Sequence, residues 1–359
     1  MNNLQPTIQD VAKAANVSIG TVDRVLHNRG RVSKEKEQAV LAAVEALDYK
    51  PSQIARALAV RKSNIKIGIT YPNVESEFWG EINGGIDRAR NELRPFGVEL
   101  IVRYTKTYDI NDQLRSVREL QSLGINGLVL TPVADSSADI IDGAIGKDIP
   151  FVTVIDDVLE SRRVFHIGPD DFALGMLAAK LVSLYNKAQG NVIILSPNFA
   201  FSSTQQRISG FMSKVKQDKL NVNILRIAPV PGDKEQEYYT NIRSVVLDCI
   251  AKNSSLNTIY VSNGLTEWAA AAVEEAGRAE DIKVIGHEFT SGVKRFLESG
   301  LVGATIYQNP AQQWFTAIRR MYDYIIGDTA ANNNGYITSC SIIMKETLPL
   351  STFGSLESN

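Results

Sequence analysis

Two rhythms of apolar residues divide the chain. Over the first 47 residues they recur at helical spacing: Ile8, Val11, Ala12 and Ala15, then the run from Ile19 to Leu26, then Val40, Leu41, Val44 and Leu47. Each set falls on one helical face and predicts three helices, the third running from Ser33 to about Leu47. Thr7 and Ser18 can cap the first two, Asp10 suits a positive first turn, and Val17 and Val22 flank the second cap as a staple. Two short helices with a tight turn between them and a third bracing them describe a helix-turn-helix. Periodicity alone also allows a helical cap or a dimerisation element.

Pro51 opens an alanine-rich stretch from Ser52 to Val60, too short to be reliably helical by itself in water. Beyond Ser63 apolar runs alternate with amphipathic segments. Strands are predicted at 65–70, 98–103, 125–131, 151–155, 191–196, 222–227, 258–262 and 282–286, with helices at 79–93, 115–123 and 172–187 and helical patterns between the later strands. Repeated strand–helix units predict an α/β body of parallel sheets flanked by helices on both faces. Two such series, dividing near His166-Ile167-Gly168, predict two similar lobes. A late strand at 302–307 and a helix at 312–326 are expected to return to the first lobe, and 336–345 to the second. The layout is an all-α unit at 1–50, a hinge helix and linker at 51–63 and a two-lobed body at 64–359. Lobe one takes about 64–167 and 300–328, lobe two about 168–299 and 329–359.

Composition adds one thing to this picture. With 359 residues, 44% hydrophobic and 22% charged, the chain is globular and long enough for two or three domains. Its net charge of −2 would argue against a nucleic-acid partner, but the charge is unevenly spread. Residues 1–63 hold ten Lys and Arg against six Asp and Glu, a net of +4, and the remainder holds 28 against 34, a net of −6. A basic unit is attached to an acidic body.

Other classes are disfavoured. Cys249 and Cys340, without a CxxC spacing, fit a reducing compartment. The N-terminus lacks a secretory signal and no stretch approaches the ~20 apolar residues of a membrane span, so a cytoplasmic protein is expected. His27, His166 and His287 show no metal spacing, and neither a GxGxxG helix start nor a GK[ST] loop occurs. No metal or cofactor is expected.

The wording of the first segment is specific. Thr7-Ile8-Gln9-Asp10-Val11-Ala12, Ala15-Asn16-Val17-Ser18 and Thr21-Val22-Asp23-Arg24-Val25-Leu26-His27 closely resemble the headpiece of LacI-type repressors. Asp48-Tyr49-Lys50-Pro51-Ser52-Gln53-Ile54-Ala55-Arg56-Ala57-Leu58 resembles that family's third-helix end and hinge helix. The resemblance implies binding of a near-palindromic DNA operator, with the second helix in the major groove reading base edges from its N-terminal part. Ile19, Gly20 and Arg24 stand at those positions. Arg24 can donate a bidentate pair to a guanine, a phosphate contact being the plainer alternative, and Ile19 can press on a thymine methyl. Gly20 has no side chain to read with, and Asp23 stands where serine is common. Thr7, Ser18, Thr21, Asn28 and Ser33 are candidate phosphate contacts. Leu58, beside Ala57, matches the leucine that wedges into the minor groove, the alternative being hinge–body packing.

The body resembles type I periplasmic sugar-binding proteins, the fold of the effector domains in LacI-type repressors. That implies a ligand held between the lobes, beyond the carboxyl ends of the strands. Phe78 and Trp79 match aromatic residues that stack on a sugar, and Arg207 matches an arginine that forks to ligand hydroxyls. Asp156 and Asp157 both fall near an acid that holds hydroxyls, and the resemblance does not separate them. Asn263 and Gln308 match cleft amides, Glu288 stands where aspartate is usual, and Gly264 replaces a common aspartate. Amides and charges of this kind suit a polyhydroxylated ligand, a nucleoside, phosphosugar or protein partner being the alternative. Carboxylates also serve glycosidases, but nothing pairs these in sequence, so a regulator is expected and not an enzyme. The tail from Leu350 to Asn359 lacks leucine heptads, which points to a homodimer.

Overall fold

The three N-terminal helices form where caps and apolar spacing put them: α1 (Ile8–Ala14), α2 (Ile19–Leu26) and α3 (Lys34–Ala46). Thr7 closes a capping box with Asp10: its N and Oγ1 each donate to Asp10 Oδ2 at 2.7 Å, and Asp10 N donates to Thr7 Oγ1 at 3.4 Å. At α2, Thr21 N donates to Ser18 Oγ at 3.2 Å. Val11, Ala12, Val22, Val40 and Ala43 are buried against one another, so α3 braces the other two. The computed structural model describes residues 6–26, 32–47, 64–72, 77–105, 108–133, 137–186, 188–197, 201–231, 235–327 and 335–350.

The central strands of the body are apolar on both faces, which a sheet buried on both sides requires, and the outer ones are partly exposed. Its first series is β1 (Ile65–Pro72), α4 (Glu77–Leu93), β2 (Val98–Thr105), α5 (Ile110–Ser122), β3 (Gly127–Leu130), α6 (Ala138–Ile145), β4 (Phe151–Val154) and β5 (His166–Gly168). The second is α7 (Asp171–Tyr185), β6 (Gly190–Pro197), α8 (Ser202–Gln217), β7 (Val222–Val230), α9 (Glu235–Lys252), β8 (Thr258–Val261), α10 (Thr266–Glu275), β9 (Lys283–His287), α11 (Ser291–Ser299) and β10 (Val302–Tyr307). α12 (Pro310–Ile325), β11 (Tyr336–Ile337) and β12 (Ser341–Ile343) follow. The first sheet has the order β11-β5-β4-β3-β1-β2 and the second β12-β10-β9-β8-β6-β7, parallel throughout save for β12, which runs antiparallel to β10. Apolar clusters cover both faces of each.

Two expectations about the return segments are corrected. Strand 302–307 does not go back to the first lobe: β10 pairs with β9, through Thr305 opposite Gly286 and Ile306 opposite His287. α11 is a short crossover, and a short right-handed connection delivers the next strand beside the last one. The segment 336–345 is also divided, because β11 pairs with β5 of the first sheet and only β12 joins the second. The helix behaves as expected, α12 packing on α4 and on the first sheet through the buried Trp314, Ala317, Ile318 and Met321. The chain therefore crosses between lobes after β5, between β10 and α12, and between β11 and β12.

One helix contact matters for the site. A Cβ on Gly175 would come within 1.9 Å of the Arg207 carbonyl oxygen, and one on Gly210 within 2.0 Å of the Phe172 carbonyl oxygen. These reciprocal glycines let α7 and α8 touch backbone to backbone, which holds Asp171 beside Arg207. No described helix is long and apolar enough to cross a membrane.

Candidate functional site

The two sheets present their carboxyl ends to a shared cavity of about 370 Å³, where ligands of open α/β sheets bind. The first lobe contributes Phe78 and Trp79 from α4, Thr131 after β3 and Asp156 after β4. Ser203 and Arg207 come from α8, Asn263 follows β8, Glu288 follows β9, and Gln308 lies on the crossover after β10. Seven of the eight predicted ligand-site residues thus line one cavity.

The eighth, Asp157, does not line it. Its carboxylate accepts from Thr153 Oγ1 at 2.7 Å, Arg163 Nη2 at 2.7 Å and its neighbour Val158 N at 2.9 Å. Those bonds use the group for the loop after β4. The chain bends after β4 at the left-handed Ile155, and Asp156 is the acid at the cavity. Its Oδ1 accepts from Ser203 N at 3.1 Å, and burial pushes its carboxyl up to about 6, against the Ser203 hydrogen bond.

Arg207, only 4% exposed, donates through Nε to Asp171 Oδ1 at 2.7 Å and through Nη1 to the Ser262 carbonyl at 3.1 Å. Burial pulls its pKa down, but Asp171 and Glu288 outweigh that and hold the guanidinium above the ordinary arginine value. Asp171 was not singled out in the sequence. It sits next to the helix cap Asp170, whose side chain accepts from Ala173 N, so the pair of acids reads as helix-start composition.

Glu288 is 5% exposed. Its Oε1 accepts from Gln308 Nε2 at 2.5 Å, while its Oε2 is buried without a hydrogen-bond partner. Burial pushes this carboxyl up to about 7, with Arg207 and Gln308 acting in the other direction. Its backbone is left-handed, with φ 67°, and Ile155, at the matching place after β4, has φ 69°. Both residues donate their N–H to the next strand, Ile155 to Ile167 O and Glu288 to Ile306 O, each at 3.0 Å. Such backbone costs energy in non-glycine residues, most of all a β-branched one, and it persists where the surroundings impose it. On the same lobe, a Cβ on Gly264 would lie 3.4 Å from Glu288 Cγ. The missing side chain at 264 leaves room for the longer acid at 288.

Trp79 is largely core, stacked on Tyr71 with centroids 5.9 Å apart, and Phe78 meets it edge to face at 5.1 Å. Sequence reasoning missed Tyr108, Phe201 and Trp268, which also line the cavity. Tyr108 and Phe201 meet across the lobes with centroids 5.5 Å apart. Glu77 likewise reaches over, accepting from Ser291 N at 2.8 Å and from the Ser291 hydroxyl. Among the described residues, no group of three His, Cys, Asp or Glu is placed to hold a metal.

In the N-terminal unit Ile19 is 46% exposed, and Gly20 and Arg24 are exposed on the same helical face, four residues apart. A Cβ on Gly20 would meet only Ser18 Oγ, at 3.8 Å, so packing does not demand glycine there. The hydroxyls of Thr7 and Ser18 are used as caps, Thr21 is hydrogen-bonded to Ser18, and Ser33 makes no capping bond. Asn28, Ala57 and Leu58, with the whole 51–63 hinge, lie outside the described residues.

Comparison with known proteins matches both parts. Residues 67–329 match the periplasmic binding protein domain and residues 7–52 the lacI family of bacterial regulatory proteins. The chain is 27% identical over 287 residues to the ribose operon repressor of Bacillus subtilis, covering 79% of this chain and 81% of that one. It is 26% identical over 325 residues to the transcriptional repressor PurR of Histophilus somni, covering 89% and 92%. In fold it is similar to a glucose-galactose binding protein of Geobacillus stearothermophilus, with a TM-score of 0.71 at 23% identity, over 79% of this chain and 99% of that one.

Proposed function

We propose that this chain, which belongs to the periplasmic binding protein domain family and carries a lacI-family regulatory unit at its N-terminus, is a DNA-binding transcriptional regulator. A small carbohydrate-like effector held between the lobes sets its affinity for an operator. The observation that carries this reading is the joining, in one chain, of a helix-turn-helix with exposed Ile19, Gly20 and Arg24 to a cavity walled by guanidinium, carboxylate, amide and aromatic groups. Relatives named as a ribose operon repressor and a transcriptional repressor support it, and they support binding over catalysis in the cleft.

In this reading residues 1–50 hold the operator, 51–63 form a hinge that inserts Leu58 into the minor groove, and 64–359 sense and dimerise. As a regulator of transcription the protein acts in the cytoplasm. Two copies bind half-sites about one helical turn apart. The effector binds the lobes in one relative arrangement more tightly than in the other, and that difference alone can shift the spacing of the hinges.

Selection of DNA from a random library by the full chain, followed by titration of the selected site against a carbohydrate panel, tests the reading. A near-palindromic sequence is expected, with affinity that falls steeply with salt and changes when one class of sugar is added. Arg24→Ala should relax preference at one base pair per half-site. Failure to enrich any sequence, or operator affinity indifferent to every compound, would sink it.

A further inference from the structure

Among the described residues the cavity wall is short of positive charge. Its described lining includes four carboxylates, Glu77, Asp156, Glu267 and Glu288, against one cation, Arg207. Arg207 brings no net charge either, because Asp171 lies against it at 2.7 Å and both are buried. Glu77 is engaged by Ser291 and Glu267 by the Thr290 hydroxyl. Glu288 is the carboxylate left with least provision, Oε1 taking one hydrogen bond and Oε2 buried with none, and Asp156 is hydrogen-bonded through Ser203.

Among the described groups, Arg207 from α8, Gln308 from the crossover, Glu81 from α4 and Asp171 from α7 act on Glu288, and Ser203, Asp171 and Arg207 act on Asp156. No unneutralised cation stands among them. A hydroxyl could donate to Oε2, but it would bring no countercharge to the buried Glu288 or the partly buried Asp156, whose ionised forms are expensive once water leaves. An anionic sugar would add a further negative charge. A protonated amine supplies donors and countercharge together.

We therefore infer, resting on the carbohydrate-effector reading, that the effector is a polyhydroxylated amine, an amino sugar or aminocyclitol whose ammonium group is received by Glu288 and Asp156. Glu288 is suited to this as a fixed acceptor. Its left-handed backbone is tied by its N–H to Ile306 O and by the Thr305 hydroxyl to its own carbonyl at 2.5 Å, and Gln308 orients one carboxylate oxygen.

Calorimetric titration of the full chain with matched pairs tests the inference: D-glucosamine with D-glucose, D-galactosamine with D-galactose, D-mannosamine with D-mannose, and 2-deoxystreptamine with myo-inositol. At least one amine should bind about tenfold or more tightly than its hydroxyl counterpart, the worth of one well-placed charge pair. Glu288→Gln and, separately, Asp156→Asn should each bring that ratio towards one. Neutral members binding as well as their amines, or binding where no amine does, overturns the inference and leaves the carbohydrate reading intact. Silence from both classes, with operator affinity unmoved, overturns both.

Discussion

The two lobes present the cleft with the same topology and different degrees of readiness. In the second lobe the site is completed internally: Arg207 is held by Asp171 and the Ser262 carbonyl, and Glu288 by Gln308 and the ladder to β10. In the first lobe the cleft acid, Asp156, is hydrogen-bonded by Ser203 of the other lobe. Glu77 does the same with Ser291. One wall is therefore bonded within its own lobe, and the polar bonds of the other run across the cleft. The acids of the first lobe meet the N-terminal turns of α8 and α11, where backbone amides favour negative charge, so closure is linked to the protein's own groups as well as to the ligand's.

The sharpest way to break this contrast is to remove one group from each wall. Arg207→Ala leaves Asp171 buried without its partner and should cost about 3–5 kcal/mol of folding stability along with the effector response. Asp156→Asn should weaken ligand binding while changing the denaturation midpoint little. Equal losses of stability in urea titrations would show that the second lobe is no more prebuilt than the first.

A smaller effect is expected at the helix contact beneath Arg207. Gly175→Ala places a methyl group against the Arg207 carbonyl and should cost about 1–3 kcal/mol, seen as a lowered melting temperature and weaker ligand binding. Gly80→Ala in the first lobe, where a Cβ meets nothing within 4 Å, should be neutral or slightly stabilising.

Acidity distinguishes the walls next. Burial raises the carboxyls of Asp156 to about 6 and of Glu288 to about 7 in the folded protein. An acid raised on folding makes the native state bind more protons than the unfolded chain. Its contribution is present in full at low pH and is lost as pH rises through the folded value. Stability of the unliganded chain should therefore fall between about pH 4, where the unfolded acids titrate, and about pH 7, by roughly 3 kcal/mol for Glu288 and less for the partly exposed Asp156. Glu288→Gln should remove most of that slope, and Asp156→Asn should remove less wherever the cleft is open. The smallest change is expected from Glu77→Gln, which weakens closure and should reduce ligand affinity by less than about fivefold, since exposed pairs contribute little. Small-angle scattering of the unliganded variant would report the opening.

Much of this was legible in the residues. The caps at Thr7 and Ser18, the apolar faces of α1 to α3 and the runs of β1, β3, β4, β8 and β9 announce their own elements, because backbone hydrogen bonding and burial act at fixed local periods. Only α5 began well before its reading, at Ile110, where Asp109 caps it by accepting from Asn111 N. The ligand-site residues could be chosen as a set because they follow strand ends. Asp156 and Asp157 could not be told apart, since an acid beside another acid carries no mark of which one Arg163 and Thr153 will claim. Asp171 gave no signal beyond that of a helix start.

Local order, the parallel α/β plan, the basic N-terminal unit and the acidic body were determined by the sequence alone, since periodicity and charge are properties of neighbours along the chain. Which sheet receives 302–307, how 336–345 divides, and which carboxylates stand in the cleft were decided only by tertiary structure. Those outcomes depend on strand pairing, on the contact of α7 with α8 at Gly175 and Gly210, and on bonds such as Asp156 to Ser203 between residues 47 positions apart. Long-range pairing selects among local possibilities that the chain leaves equal, and the low dielectric between the lobes then determines which of its charges need a partner.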